Sequence, residues 1–197
     1  PPQEPELDGV TIGVPWEDQP RIEALAKEAG LQFVGMIYSD LTADTQVDEK
    51  SKKTTSTGKV LCKRHQDSFF LSGCEVLFAA ALQNANSTPC RWSASGKFNS
   101  RFVTCVLTGN SDGEIGVEAY QVSEQAMAMV KADMIEASVN PNTIRVKPSD
   151  TGRRYVPEVF FRYKNEYKLD VKESAKPTFP VEYLIVNVSK RTVSSLV

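Results

Sequence analysis

Gly35-Met36-Ile37-Tyr38-Ser39-Asp40-Leu41, joined later by Leu71-Ser72-Gly73-Cys74-Glu75, is the part of this sequence whose reading decides the fold. The first stretch ends an apolar run that begins at Leu31, contains Phe33, Val34 and Ile37, and is bounded by Gly30 and Ser39-Asp40. Such a run predicts a buried strand. In the second stretch Ser72 opens a helix whose apolar residues Val76, Leu77, Ala80 and Ala81 recur at helical spacing to about Asn84. A strand with polar side chains at its end is therefore followed by a helix with a polar, acidic first turn.

Outward from this pair, the chain alternates helix and strand signals. Asp18 is a plausible N-cap for a helix carrying Ile22, Leu25, Ala26 and Ala29, stopped by Gly30, and residues 1–17 are Pro-rich and irregular. Residues 42–57 are polar, with Val47 the one large apolar side chain, and are expected to be mobile because they cannot bury enough surface to hold themselves in place. Gly58 to His65 reads as a strand, and Phe69-Phe70-Leu71 brings the chain back to the core. Residues 85–100 read as a loop with Pro89 and Gly96. The clearest hairpin joins Phe102–Thr108 to Glu114–Val122 through Asn110-Ser111-Asp112-Gly113, which has the right turn chemistry. Ser123 then caps a helix with Ala126, Met127, Val130, Met134 and Ile135 on one face, the methionines serving as core filler. Past residue 137 the composition shifts to Asn140-Pro141-Asn142, Pro148, Asp150 and Gly152. A second hairpin is expected from Val159–Tyr163 and Tyr167–Val171, and a last strand over Val181–Val188.

Composition removes several function classes. With 197 residues, 41% hydrophobic and a net charge of −2, the chain suits one domain or one domain with an extension and lacks the basic footprint of a nucleic-acid binder. Lys50, Lys52, Lys53, Lys59, Lys63 and Arg64 follow Asp44, Asp48 and Glu49, and read as a solvated loop. No apolar run approaches the ~20 residues of a membrane helix, so no membrane insertion is expected. The chain opens Pro1-Pro2 without methionine, which predicts a piece of a longer protein. Cys62, Cys74, Cys90 and Cys105 are too widely spaced for a zinc knuckle, and are read as reduced, mostly buried thiols. His65 is the single histidine, read as a surface or edge residue, so neither a catalytic triad nor a histidine-based zinc site can be assembled. There is no Gly-rich phosphate cradle and no nucleophile elbow. The sequence predicts no catalytic residues, no metal and no cofactor.

The deciding stretches resemble the MPN domain, whose JAMM metalloprotease members end the strand in Gly-Trp-x-His-Thr-His-Pro and open the later helix with Leu-Ser-x-x-Asp. On that resemblance the zinc-ligand places fall on Tyr38, Asp40 and Glu75, and only Ser72 keeps its type. A catalytic zinc wants protein ligands of nitrogen, sulfur or carboxylate with one open position. Tyr38 is neutral near pH 7, and the two carboxylates alone suit zinc badly. Asp40 and Ser72 are also 32 positions apart, where the active pattern has a short link. Ser72 and Glu75 have a second reading as a capping box.

Ala29 to Leu41, Phe69-Phe70-Leu71-Ser72, Cys90-Arg91, Ser100 to Thr104, Glu118 to Ser123, Tyr155 to Phe160 and Pro180 to Ile185 run in order in a manner that resembles the nuclear protein localization protein 4 family. The resemblance implies a mixed α/β fold, an MPN (JAB/JAMM-like) sheet flanked by helices with a C-terminal α+β extension. It implies residues 1–137 as the larger part of an inactive MPN domain, the polar insertion at about 42–57 included, and 138–197 as the extension. The opening strands of that domain would lie upstream. It further implies an adaptor that carries polyubiquitinated substrates to the valosin-containing AAA ATPase. The implied partners are ubiquitin and polyubiquitin chains and a subunit of the ubiquitin fusion degradation protein 1 family. The implied location is the cytoplasm and nucleus, and peripherally the endoplasmic reticulum membrane. The alternatives are an active JAMM isopeptidase, which the missing histidines disfavour, and a structural dimerisation module. For partner or ubiquitin binding, the residues singled out are Trp92, Phe98 and Phe102, aromatics in or beside the polar 85–100 loop. The competing reading tucks Trp92 and Phe98 under that loop as a small cluster.

Overall fold

A computed structural model describes residues 17–48, 53–150, 152 and 154–188. Along the chain these form α1 (Gln19–Glu28), β1 (Gly35–Asp40), β2 (Ala43–Asp48), β3 (Lys53–Val60), α2 (Gly73–Ala85), β4 (Ser87–Pro89) and β5 (Lys97–Ser100). There follow β6 (Val103–Gly109), β7 (Ile115–Val122), α3 (Glu124–Lys131), β8 (Ile135–Ala137), β9 (Thr143–Val146), β10 (Phe160–Lys164) and β11 (Asp170–Ser174). The chain closes with β12 (Thr178–Pro180), a 3₁₀ turn (Val181–Leu184) and β13 (Ile185–Asn187). The fold is mixed α/β, as the sequence predicts.

The central sheet has the order β1-β6-β7-β13. β1 runs parallel to β6, and the connection between them contains α2, as a parallel pair requires. Gly35 lets the two strands approach, since a Cβ there would stand 2.5 Å from the Val103 carbonyl oxygen. Tyr38, Val106, Tyr120 and Val122 point to the inner face, where they pack with Leu71, Val76, Ala79 and Ala80 around α2 and with Ala126 and Met127 of α3. Gln83 of α2 joins helix to sheet: its Oε1 accepts from Val122 N at 2.6 Å and its Nε2 donates to Val122 O at 3.1 Å. This pairing satisfies a buried amide that would otherwise cost energy. The opposite side of the sheet keeps Ile37, Ile115 and Val117 exposed, and α1 buries no residue.

Several expectations are corrected. Within the stretch expected to be mobile, Ala43–Asp48 and Lys53–Val60 pair as the antiparallel strands β2 and β3. Their backbone ladder needs no apolar core to form its hydrogen bonds. It is also anchored at its base, with Val60 N donating to Gly113 O at 3.0 Å and Leu61 N to Thr42 O at 2.8 Å. Residues 49–52 lie outside the described residues. The strand expected over 58–65 ends at Val60, and the loop expected over 85–100 contains β4 and β5. Of the expected last strand, Val181–Leu184 form the 3₁₀ turn. The second strand of the later hairpin begins at Asp170 rather than Tyr167, because residues 165–169 form the turn. Ile144, Val146, Phe179 and Leu184 share the cluster of α2 and α3, and β13 is a strand of the central sheet.

Candidate functional site

Asp40 closes β1 and Glu75 lies in the first turn of α2. Between them sits a side chain the sequence reading assigned to a solvated loop. Arg64 is 5% exposed. Its Nη1 and Nη2 meet Glu75 Oε2 and Oε1 at 2.9 and 2.6 Å, a two-pronged pair. Its Nε donates to Asp40 Oδ2 at 3.0 Å, and Nη2 lies 2.9 Å from the same oxygen. Nη1 also donates to the Phe70 carbonyl at 2.7 Å. The guanidinium carbon stands 5.5 Å from the Phe69 ring centroid and 5.9 Å from that of Tyr38. All the N–H donors of the fork thus find acceptors.

The carboxylates are held from other directions as well. Ser72 and Glu75 form the capping box the sequence allowed: Ser72 N donates to Glu75 Oε2 at 2.7 Å and Glu75 N to Ser72 Oγ at 3.3 Å. Lys63 Nζ donates to Asp40 Oδ1 at 2.8 Å from a half-exposed position. Burial pushes the Asp40 carboxyl up, but Lys63 and Arg64 together outweigh it and hold it below the usual carboxylate range. Burial pulls the Arg64 guanidinium down, while the bonds and charge of Glu75 more than reverse this and raise it. Tyr38 is pushed far up by burial and next by the Glu75 charge, so the phenol stays neutral. The Thr104 and Thr108 hydroxyls are buried without hydrogen-bond partners among the described residues. Beside them Tyr120 OH donates to Glu118 Oε2.

Tyr38, Asp40, Ser72 and Glu75, separated in sequence, are thus brought together by the fold. The zinc that a JAMM site would need does not fit these residues. Asp40 and Glu75 already bond a cation, the donors are oxygen throughout, and Tyr38 is locked neutral. Among the described residues no three His, Cys, Asp or Glu side chains converge on a point. Arg64 is the residue sequence reasoning missed. A signal for it existed, since two carboxylates folded toward one buried place require a cation, and Arg64 lies just before the apolar return at Phe69-Phe70-Leu71.

The singled-out aromatics behave differently. β4 and β5 pair as a short hairpin whose turn is closed by Cys90 N to Gly96 O at 2.9 Å, with Gly96 at φ +70°. Trp92 is 82% exposed and Phe98 56%, so neither ring is tucked under the loop. The Arg91 guanidinium lies 4.4 Å over the Trp92 ring. Phe102 is 7% exposed. Its backbone is tied into the fold, N–H to Ser100 Oγ at 3.1 Å and carbonyl from Gln121 Nε2 at 3.1 Å. Separately, a cavity of about 190 Å³ lies between Gln66, Phe69 and Phe70 on one side and Pro180, Val181 and Glu182 on the other.

A family model described as the NPL4 family matches residues 1–195. Nuclear protein localization protein 4 of Scheffersomyces stipitis is 47% identical over 191 residues, covering 96% of this chain and 31% of that protein. The proteins of the same name from Schizosaccharomyces pombe and Saccharomyces cerevisiae are 46% and 44% identical over 96% of this chain and 31% of theirs. The chain therefore spans about a third of the length of these relatives.

Proposed function

Because the chain belongs to the NPL4 family, we propose that it works as a non-catalytic adaptor, receiving polyubiquitinated proteins for the valosin-containing AAA ATPase. On this reading it binds ubiquitin chains and acts as a heterodimer with a subunit of the ubiquitin fusion degradation protein 1 family. Delivered substrates are unfolded and passed to degradation, in the nucleus and cytoplasm and at the endoplasmic reticulum membrane. No helix among the described residues is long and apolar enough to cross a membrane, so attachment there would run through the complex.

The observation that carries the non-catalytic half is the saturation of Asp40 and Glu75 by Arg64. A metal hydrolase needs an open coordination position with a bound water. Here the carboxylates that would ligate are spent on an internal ion pair. Support for the adaptor half comes from the exposed Trp92 and Phe98 on the β4–β5 hairpin, since exposed aromatics are a residue type that anchors protein partners.

Titration of polyubiquitin chains into the full chain, alone and with the heterodimer partner, tests the reading. Saturable binding without linkage cleavage is expected. Zinc-dependent cleavage, or no binding in either setting, would sink it.

A further inference from the structure

We propose that Asp40, Glu75 and the Phe70 carbonyl form a preformed cation site, and that the Arg64 side chain is its built-in guest, a tethered guanidinium. Each acceptor is held independently of Arg64. Asp40 is set by its place in β1, opposite Thr108 of β6, and by Lys63. Glu75 is set by the capping box of α2. The Phe70 carbonyl follows a turn closed by Ser68 N to His65 O at 3.0 Å. The site should therefore keep its shape when the arginine side chain is removed.

Charge and shape say what belongs there. Without Arg64, the negative charges of Asp40 and Glu75 face the single positive charge of Lys63, leaving one uncompensated negative charge in a buried place. One monovalent cation restores neutrality. The acceptors meet the donors of the Arg64 guanidinium from three groups, and the Phe69 and Tyr38 ring centroids stand 5.5 and 5.9 Å from its carbon. Zinc lacks its nitrogen and sulfur donors here. Calcium wants on the order of six or more oxygens, more than these groups supply. The chemical class of the ligand is therefore a free guanidinium ion or a small alkylguanidinium.

The proposal concerns this cluster alone, so its failure leaves the adaptor reading untouched, and ubiquitin binding measured on the same variants separates the two. The test is thermal melting of Arg64→Ala in the full chain, with guanidinium chloride or sodium chloride added at equal low ionic strength. Arg64→Ala should melt earlier than the parent, and guanidinium should restore it while sodium does not. At about ten times its dissociation constant the ion should raise the folded-to-unfolded ratio about tenfold. The parent should show no such gain, and Arg64→Ala with Glu75→Gln should lose it. If Arg64→Ala does not accumulate folded, refolding yield with and without guanidinium is read instead, and Arg64→Lys, which restores charge without the fork, should fold and give no guanidinium response. The proposal is overturned by any one of four results. These are equal melting of Arg64→Met and the parent, no guanidinium response in melting or refolding, an equal response in the parent, and stronger rescue by zinc or magnesium than by guanidinium.

Discussion

Arginine meets aromatic rings at two places in this molecule, with opposite consequences. At the end of β1, Arg64 lies between Phe69 and Tyr38, its side chain 2% exposed and its donors consumed by Glu75, Asp40 and the Phe70 carbonyl. On the β4–β5 hairpin, Arg91 lies over Trp92, whose ring is 82% exposed. The pairing chemistry is similar in both. Burial separates them, because a buried charge must be fully paired and so has nothing left to offer a ligand, while an exposed ring on a short, turn-closed hairpin can still lose water to a partner. The region that resembles an active site therefore spends its polar groups on internal pairing, while the β4–β5 hairpin leaves an aromatic ring exposed.

The most severe way to break this comparison is Glu75→Ala. It leaves Arg64 without the two-pronged pair and removes the bond from Ser72 N to Glu75 Oε2, while the N-cap bond from the backbone of residue 75 to Ser72 Oγ stays. Breaking a buried pair costs about 3–5 kcal/mol, and the lost Ser72 bond adds about 1 kcal/mol. Urea unfolding is the measurement, since guanidinium could enter the cluster. A loss under about 1 kcal/mol would mean the buried cluster is not what holds β1 to α2.

The mirror experiment is Trp92→Ala. An anchor of this kind costs about 2 kcal/mol on truncation, roughly thirtyfold in affinity for polyubiquitin or the heterodimer partner. The melting temperature should not move, because the ring is exposed. If the variant melts early and binds normally, the contrast between the two arginine–aromatic sites fails.

Acid titration sharpens the same contrast. The Asp40 carboxyl is held below its ordinary range in the folded chain, against burial, by Lys63 and Arg64. Between its folded and unfolded pKa values the unfolded chain binds more protons, so stability rises with pH there. The contribution is fully present above the unfolded value, about 4, and is lost as pH falls through the lower folded value. Asp40→Asn should flatten this acid limb of the stability profile, whereas Trp92→Ala should leave it unchanged. An acid limb of equal slope in Asp40→Asn would mean that other carboxylates carry it.

Much of this was legible in the sequence. The helix from Gly73, the β6–β7 hairpin and the capping box follow from local signals that agree with the fold, whereas the buried strand expected over Leu31–Tyr38 begins only at Gly35, runs to Asp40, and leaves Leu31, Phe33, Val34 and Ile37 exposed. What was not legible depends on distant neighbours. Residues 43–60 look too polar to be ordered because periodicity measures burial, and this ribbon is held by backbone pairing and by the β6–β7 turn instead. Arg64 reads as solvent-facing because its acidic partners lie 24 residues before and 11 residues after it. Phe102 reads like Phe98, yet one is 7% exposed and the other 56%, a difference set by where β5 gives way to β6.

The finest test uses Asp40, a carboxylate that has both kinds of partner. Asp40 binds Arg64 on its buried side and Lys63 on its outer side, with nearly equal lengths of 2.9 and 2.8 Å. The Arg64 side chain is 2% exposed and that of Lys63 39%. Distance alone predicts equal contributions, but burial does not. An exposed pair is screened by water and salt and contributes about 0.2–1 kcal/mol. Lys63→Ala should therefore cost no more than about 1 kcal/mol in urea unfolding, and the cost should shrink as salt is raised. A double-mutant cycle between Lys63→Ala and Asp40→Asn should give a coupling of the same small size. A coupling above about 2 kcal/mol, insensitive to salt, would show that the outer partner holds Asp40 as firmly as the inner one. Burial would then not be what divides the spent polar groups of this protein from the available ones.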